Sequence, residues 1–326
     1  LKISVVTAGI FLLVGILFSK QLAIFLGATD NILDMTNIYL KVILLFAPAF
    51  IINEVLLSFV RNDGNPGIAM TAMLTGSFAN IILDYIFIFL MQWGIFGAVI
   101  ATSMAPLISM GILWLHKAQG KQQFFLKKVK FSSTMIGDIV KIGIPSLITE
   151  VAAGIVMIIF NVLILGIEGN IGVAAYGVIA NLALVFTSVY TGIAQGVQPL
   201  ISEGYGKNDG KQIKTIYRFA LITLSVVSVI IYALCFKFAD SITTIFNSEK
   251  SEMLQNIAVE GMKLYFIAVP FTGFNIVTSV FFSAIERVVP AQSISLLRGI
   301  VLMVPMAYLL AAVYGMAGIW LTVPVT

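Results

Sequence analysis

Residues 139–166 read IVKIGIPSLITEVAAGIVMIIFNVLILG, an apolar run interrupted by one lysine and one glutamate. A helix needs about 20 such residues to cross a bilayer. The run is continuous rather than alternating, which calls for a helix and not a barrel strand. Similar runs fall at about 3–26, 36–60, 66–91, 95–116, 173–200, 217–238, 257–284, 290–312 and from 316 onward. The fold expected is all-α and polytopic, with the helices embedded in a membrane.

Composition agrees. Of 326 residues, 60% are hydrophobic and 10% charged, and the mean hydropathy is +1.04. A soluble domain carries roughly 25% charged residues, so this chain could not cover its own surface in water. One cysteine and one histidine leave no disulfide framework, no metal cluster and no catalytic triad. No phosphate-binding Walker motif occurs. An enzyme is not expected, and no cofactor beyond a transported ion.

The charges fix an expected orientation. Lys117, Lys121, Lys127, Lys128 and Lys130 share one loop, and Lys207, Lys211, Lys214 and Arg218 another. Arg61 and Arg287 fall in tighter turns on the same side. The opposite loops, Gly27–Met35 and Ile167–Gly172, are acidic or neutral. The basic loops are expected to face the cytoplasm.

An internal repeat organises the chain. Lys41, Pro48, Asn53 and Phe59 stand 222 residues before Lys263, Pro270, Asn275 and Phe281. Trp93-Gly94-Ile95-Phe96-Gly97 precedes Tyr314-Gly315-Met316-Ala317-Gly318 by 221. An even number of helices lies between the copies, so they are parallel repeats. The second copy has two more helices ahead of the repeated stretch. The expectation is two parallel six-helix lobes, the first lacking two helices here and the last helix incomplete. The lobes would be 1–116, with four remaining transmembrane helices, and 135–326, with six; 117–134 would be a basic cytoplasmic linker.

Several stretches give the chain a resemblance to a known family. They are Ser58-Phe59-Val60-Arg61-Asn62-Asp63-Gly64-Asn65-Pro66, Asn80-Ile81-Ile82-Leu83-Asp84-Tyr85, Gly143-Ile144-Pro145-Ser146, Ala174-Ala175-Tyr176-Gly177 and Gly192 to Leu200. Together they resemble the multidrug and toxic compound extrusion (MATE) transporters, closest to the bacterial multidrug efflux branch. The resemblance implies two lobes around a central cavity, and export of cationic lipophilic compounds by antiport with Na+ or H+. It also implies an acidic residue on the helix that holds Glu150, a match to Leu83-Asp84-Tyr85, and a further acid on a first helix expected to be missing here.

Charged residues inside spans carry the site expectations, since each costs roughly 2.5–3.5 kcal/mol on insertion scales. Glu150 lies about 16 Å into its helix at 1.5 Å per residue, with Gly154, Met157 and Asn161 on its face. A carboxylate withdrawn from water there takes up a proton or cation more readily. Asp84 shares its face with Asn80, Ser77 and Met73, and has no acidic counterpart in the repeat. Glu150 and Asp84 are the expected ion-coupling residues. Glu54, Met157, Asn161, Asn181, Gln195, Phe271 and Asn275 are the expected substrate contacts, Glu54 being equally readable as an ion-pair partner of Arg61. His116, at the start of the basic loop, reads as interfacial.

The expected function is secondary multidrug efflux by a monomer in the bacterial plasma membrane, acting on small cationic or amphipathic molecules and touching no nucleic acid. The alternative is a flippase of lipid-linked oligosaccharide precursors. It would want several basic residues facing its cavity, and only Arg298, Lys41 and Lys263 offer themselves.

Overall fold

The computed structural model describes residues 2–26, 28, 32–120, 124, 132–248 and 250–326. Most of the expected basic linker at 117–134 therefore lies outside the described residues. The chain forms two compact units, Leu1–Phe131 and Ser132–Thr326. Every element among the described residues is helical.

The N-terminal unit contains α1 (Lys2–Phe25), α2 (Leu33–Leu45), α3 (Ala47–Asn62), α4 (Pro66–Asp84) and α5 (Gly94–Ala118). Here α1 packs on α2 and α3, and α4 runs along α5. Small residues make these contacts. A Cβ on Gly76 would stand 3.0 Å from the Ala105 carbonyl oxygen, and one on Gly15 would stand 2.5 Å from the Leu44 Cβ. Lipid supplies no hydrophobic drive between helices, so close backbone approach replaces it. Helices α2 and α3 meet at a bend of 46° and together are long and apolar enough for one span. The break falls at Phe46, just ahead of Pro48 in the first turn of α3, where the missing N–H and fixed φ of proline suit a new helix start.

Helix α4 does not end as a regular helix. Residues Tyr85–Leu90 widen into a π turn, with the Met91 N–H reaching five residues back to the Ile86 carbonyl at 2.8 Å. The sequence expectation of one straight span over 66–91 missed this.

At its other end, the Asn65 side chain caps α4, its Oδ1 accepting from the Ile68 N–H at 3.3 Å. With Oδ1 used, the amide nitrogen is the atom left to meet His116 Nδ1, at 3.3 Å. His116 Nδ1 then accepts, and Nε2 donates to Asp63 Oδ2 at 2.7 Å. His116 is 1% exposed, so it is a buried tie between α5 and the α3–α4 turn, not the interfacial residue expected.

The C-terminal unit contains α6 (Ser133–Gly206), α7 (Gly210–Phe246), α8 (Glu252–Tyr265), α9 (Val269–Ala284), α10 (Val288–Leu296) and α11 (Met303–Val325). Helix α6 is two helices joined at Gly169, where φ is 64° and ψ −154°. The reversal is plain from Phe160 and Tyr176, whose rings lie 5.6 Å apart; a straight helix would separate them by about 24 Å. The loop expected at Ile167–Gly172 thus shrinks to one left-handed glycine. Gly315 breaks α11 in the same way, at φ 57°.

Both arms of α6 pack against α7, α8, α9, α10 and α11 as a group. Trp320, Tyr190, Phe160, Phe266, Ile164, Ile179 and Met262 are each at most 1% exposed and form the core. Outside it the unit is apolar: Phe219 is 65% and Val229 68% exposed. The N-terminal unit is the same, with Phe78 at 62%. Lipid is the medium that covers such surfaces. Seven helices among the described residues are long and apolar enough to cross a membrane, or eight with the bent pair as one span.

The repeat extends to backbone detail. Gly94 and Gly315 share the left-handed region, at φ 56° and 57°. Gly64 and Glu286, 222 apart, do the same at 79° and 60°. Pro270 follows a 3-10 turn at Phe266–Ala268, as Pro48 follows the break at Phe46.

Candidate functional site

The C-terminal unit holds a half-open cavity of about 570 Å³. Its walls come from both arms of α6, the α8–α9 junction, the end of α10 with the turn after it, and the last residues of α11.

Proline chemistry shapes the first wall. Pro145, inside α6, has no N–H for the Lys141 carbonyl. Gln292 of α10 supplies the donor instead, its Nε2 lying 3.5 Å from that carbonyl oxygen. One turn on, the Thr149 hydroxyl lies 2.9 Å from the Pro145 carbonyl oxygen and 3.1 Å from the Ser295 hydroxyl. Beyond that, a Cβ on Gly299 would come within 2.7 Å of the Ala152 Cβ. The first arm of α6 and α10 are therefore sealed along a seam, in the same direction. Glu150 sits on this seam and opens into the cavity.

Met157 lies two turns along the same face as Glu150, and Phe186, Phe271, Phe274 and Asn275 line the cavity with it. Phe186 meets Phe266 edge-on at 5.0 Å, which fixes part of this wall. A thioether and several rings make a surface that adapts to varied apolar shapes.

Of the expected site residues, the structure gathers Glu150, Met157, Phe271 and Asn275 around one cavity. Asn161 does not line it. Asn181 is exposed and donates to the Gly177 carbonyl at 2.9 Å, and Gln195 lies further along the same arm, outside the lining. Asp84 and Glu54 belong to the N-terminal unit. Asp84 is half-buried directly before the π turn, and Asn80, one turn earlier on its face, has a buried amide nitrogen without a partner among the described residues. Glu54 is exposed, and Arg61, its suggested ion-pair partner, has its guanidinium 4.0 Å from Met73 Sδ. Asn53 is buried with an unpartnered Oδ1.

Thr149, Tyr265, Thr272 and Ser295 line the cavity without having been expected there, and Arg298, expected to face a cavity only in the flippase alternative, lines it too. A base within the span 290–312 deserved the same weight as the acids, since the same insertion cost applies.

Comparison with known proteins places this arrangement. Proteins similar to the chain include the multidrug export protein MepA of Staphylococcus aureus (strain bovine RF122 / ET3-1), 28% identical over 312 residues. MepA of Staphylococcus saprophyticus is 26% identical over 317. Each match covers 95% of this chain and 68% of the relative. Among solved structures, a MATE protein in complex with MaL6 superimposes with a TM-score of 0.90 at 23% identity, over 98% of this chain and 73% of that one. A MOP-superfamily transporter from Pyrococcus furiosus gives 0.87 at 23%, over 99% and 74%. These structures are similar in fold. The MatE family model matches residues 1–86 and 145–309, most of the chain and most of the cavity's lining, so the chain belongs to the MatE family, a family of membrane transporters and not of enzymes.

Proposed function

We propose that the protein exports bulky, cationic lipophilic compounds across the bacterial plasma membrane by antiport with Na+ or H+. Glu150 is the ion-linked acid of the C-terminal unit, and Asp84 binds the ion or the cationic cargo in the N-terminal unit. The observation that carries this reading is the cavity itself: Glu150 is the one acid among its lining residues, which include Met157 and Phe271. A carboxylate that opens into an apolar chamber can hold a small cation or a charged amine, but not both at once, and that exclusion is what couples their movements. The relatives named multidrug export proteins support the cargo class. Asn161, Asn181 and Gln195 then serve helix packing more than cargo binding, since none of them lines the chamber.

The test is efflux of ethidium from vesicles holding the protein, driven by an imposed Na+ or H+ gradient. Glu150→Gln is expected to abolish gradient-driven efflux while reaching the membrane in normal amounts. Full efflux by that variant would remove Glu150 from the mechanism. Only one base, Arg298, lines the cavity, which weighs against the flippase alternative; movement of a lipid-linked precursor with no dye efflux would restore it. The basic loops face the cytoplasm and the unit of transport is a monomer in this reading. Labelling of an introduced cysteine at Lys214 from one side only tests the first, and the mass of the detergent-solubilised particle tests the second.

A further inference from the structure

A guanidinium in a membrane span is as costly as a carboxylate and normally finds an acid. Arg298 does not. Among the described residues, no carboxylate lies within ion-pair distance of it. Of its five N–H donors, one reaches a protein acceptor, the Thr272 carbonyl at 3.4 Å from Nη1. The remainder of the head group opens into the cavity that holds Glu150.

The backbone is built to put it there. Arg298 lies in a π turn, Leu297–Val301, that interrupts the helix between α10 and α11. The Leu302 N–H reaches five residues back to the Leu297 carbonyl at 3.0 Å. Single π turns inside helices recur at functional sites, because the extra residue redirects side chains. Gly299, next to Arg298, seats this turn against Ala152, two residues past Glu150. Ser295, one turn before, is tied to Thr149, the neighbour of Glu150. Acid and base thus flank the same seam at the same level, yet they do not pair. The Gly299–Ala152 contact and the Thr149–Ser295 bond set how the two backbones lie against each other.

Two unpaired opposite charges facing one chamber leave each available to a ligand. We infer that the cavity contains an anion-recognising subsite centred on Arg298, with the Tyr265 and Ser295 hydroxyls close by, that takes the oxyanion of an amphiphile with an aromatic or aliphatic body. A planar fork of N–H groups suits a carboxylate, sulfonate or phosphate ester, which it binds through two parallel hydrogen bonds. Lysine would supply a point charge without the fork. The inference rests on the cavity being a ligand site, and it adds that the accepted chemistry includes an anionic group and not only a cationic one.

The test uses three probes with one body: naphthoate, naphthylmethylammonium and neutral naphthylmethanol. Their binding is measured to the purified protein in phosphatidylcholine nanodiscs. The wild type is expected to bind naphthoate at least tenfold more tightly than the alcohol. Arg298→Gln removes that advantage, Arg298→Lys keeps part of it, and both leave the ammonium probe bound. Glu150→Gln does the reverse, weakening the ammonium probe and sparing naphthoate. Unchanged naphthoate binding by Arg298→Gln, or equal binding of naphthoate and alcohol by the wild type, overturns the subsite while leaving the cavity a cation site. Failure of all three probes to bind overturns both. Repeating the measurement with phosphatidylglycerol in the disc identifies the source of the oxyanion. Competition that Arg298→Gln abolishes means a lipid head group occupies the subsite; no competition means a free amphiphile does. Retained binding of the ammonium probe by Arg298→Gln shows that the variant is folded.

Discussion

Two π turns stand among the described residues, each at a charged residue, and the charges have opposite sign. In the N-terminal unit, Asp84 precedes the turn Tyr85–Leu90. In the C-terminal unit, Arg298 lies within the turn Leu297–Val301. The turns are not repeat equivalents. An offset near 222 sets Asp84 against Met306 and Arg298 against Gly76. What does repeat is the scaffold: Pro48 with Pro270, Gly94 with Gly315, Gly64 with Glu286. Backbone geometry is therefore shared between the units, as is the charge at Lys41 and Lys263, while Asp84 and Arg298 are each private to one unit. Duplicated helices supply a common frame, and each unit departs from regular helix where it needs a charge at a particular place. The N-terminal unit holds its acid beside an unpartnered amide, that of Asn80. The C-terminal unit holds an acid and a base around one chamber.

The strongest way to break this contrast is to neutralise the acids separately. Glu150→Gln is expected to lower gradient-driven efflux by about a hundredfold or more, and Asp84→Asn by about tenfold, read as losses in rate per unit of protein in the membrane. Equal losses would mean that the two acids act as one functional group, and the idea of private chemistry would fail. A smaller effect contrasts how the units hold themselves together. His116→Ala removes the 2.7 Å hydrogen bond from Nε2 to the half-buried Asp63 carboxylate and is expected to cost about 2–3 kcal/mol. Tyr190→Phe in the other unit removes a neutral bond, Tyr190 to the Ser228 hydroxyl at 2.9 Å, and is expected to cost about 1 kcal/mol. Thermal unfolding of both variants in the same detergent measures the difference. A silent His116→Ala would return the histidine to the interfacial role that the sequence suggested.

The helices were legible because lipid imposes a length and an apolarity that few other environments demand. The repeat was legible because proline and glycine mark backbone events that apolar residues do not. Both π turns were invisible for the converse reason. Tyr85-Ile86-Phe87-Ile88-Phe89-Leu90 has no residue that a regular helix would refuse, so the widening comes from packing and not from local preference. Glu150 was legible as a charge out of place. Arg298 was equally out of place, but its charge pointed to the anionic cargo of a flippase and not to the chamber that holds Glu150. The His116–Asp63 pair could not be read at all, because its partners come from different helices and nothing in their spacing marks them. Asn161 and Asn181 show the limit of face arguments. Helical spacing put Asn161 in line with Glu150 and Met157 and drew Asn181 into a polar stripe, yet the chamber passes both by.

The finest comparison concerns the glycines that the repeat aligns. Gly94 and Gly315 have the same left-handed φ, and a Cβ at either would meet nothing within 4 Å. An L-residue there is opposed by its own backbone alone, at about 1–3 kcal/mol. Gly94→Ala and Gly315→Ala are thus expected to lower stability equally. Three residues on, the match is looser. A Cβ on Gly97 would lie 3.0 Å from the Phe87 backbone, a contact that small shifts relieve. On Gly318 it would drive into the Leu310 carbonyl, which the reversal at Gly315 pins in place. Gly318→Ala should therefore cost more than Gly97→Ala, and more than either left-handed position. Equal penalties at 94 and 315 with unequal ones at 97 and 318 would show a turn conserved between the units and a seat that is not. A silent Gly94→Ala would instead show that the left-handed turn is imposed only in the C-terminal unit, where the helix folds back on itself against Trp320 and the core.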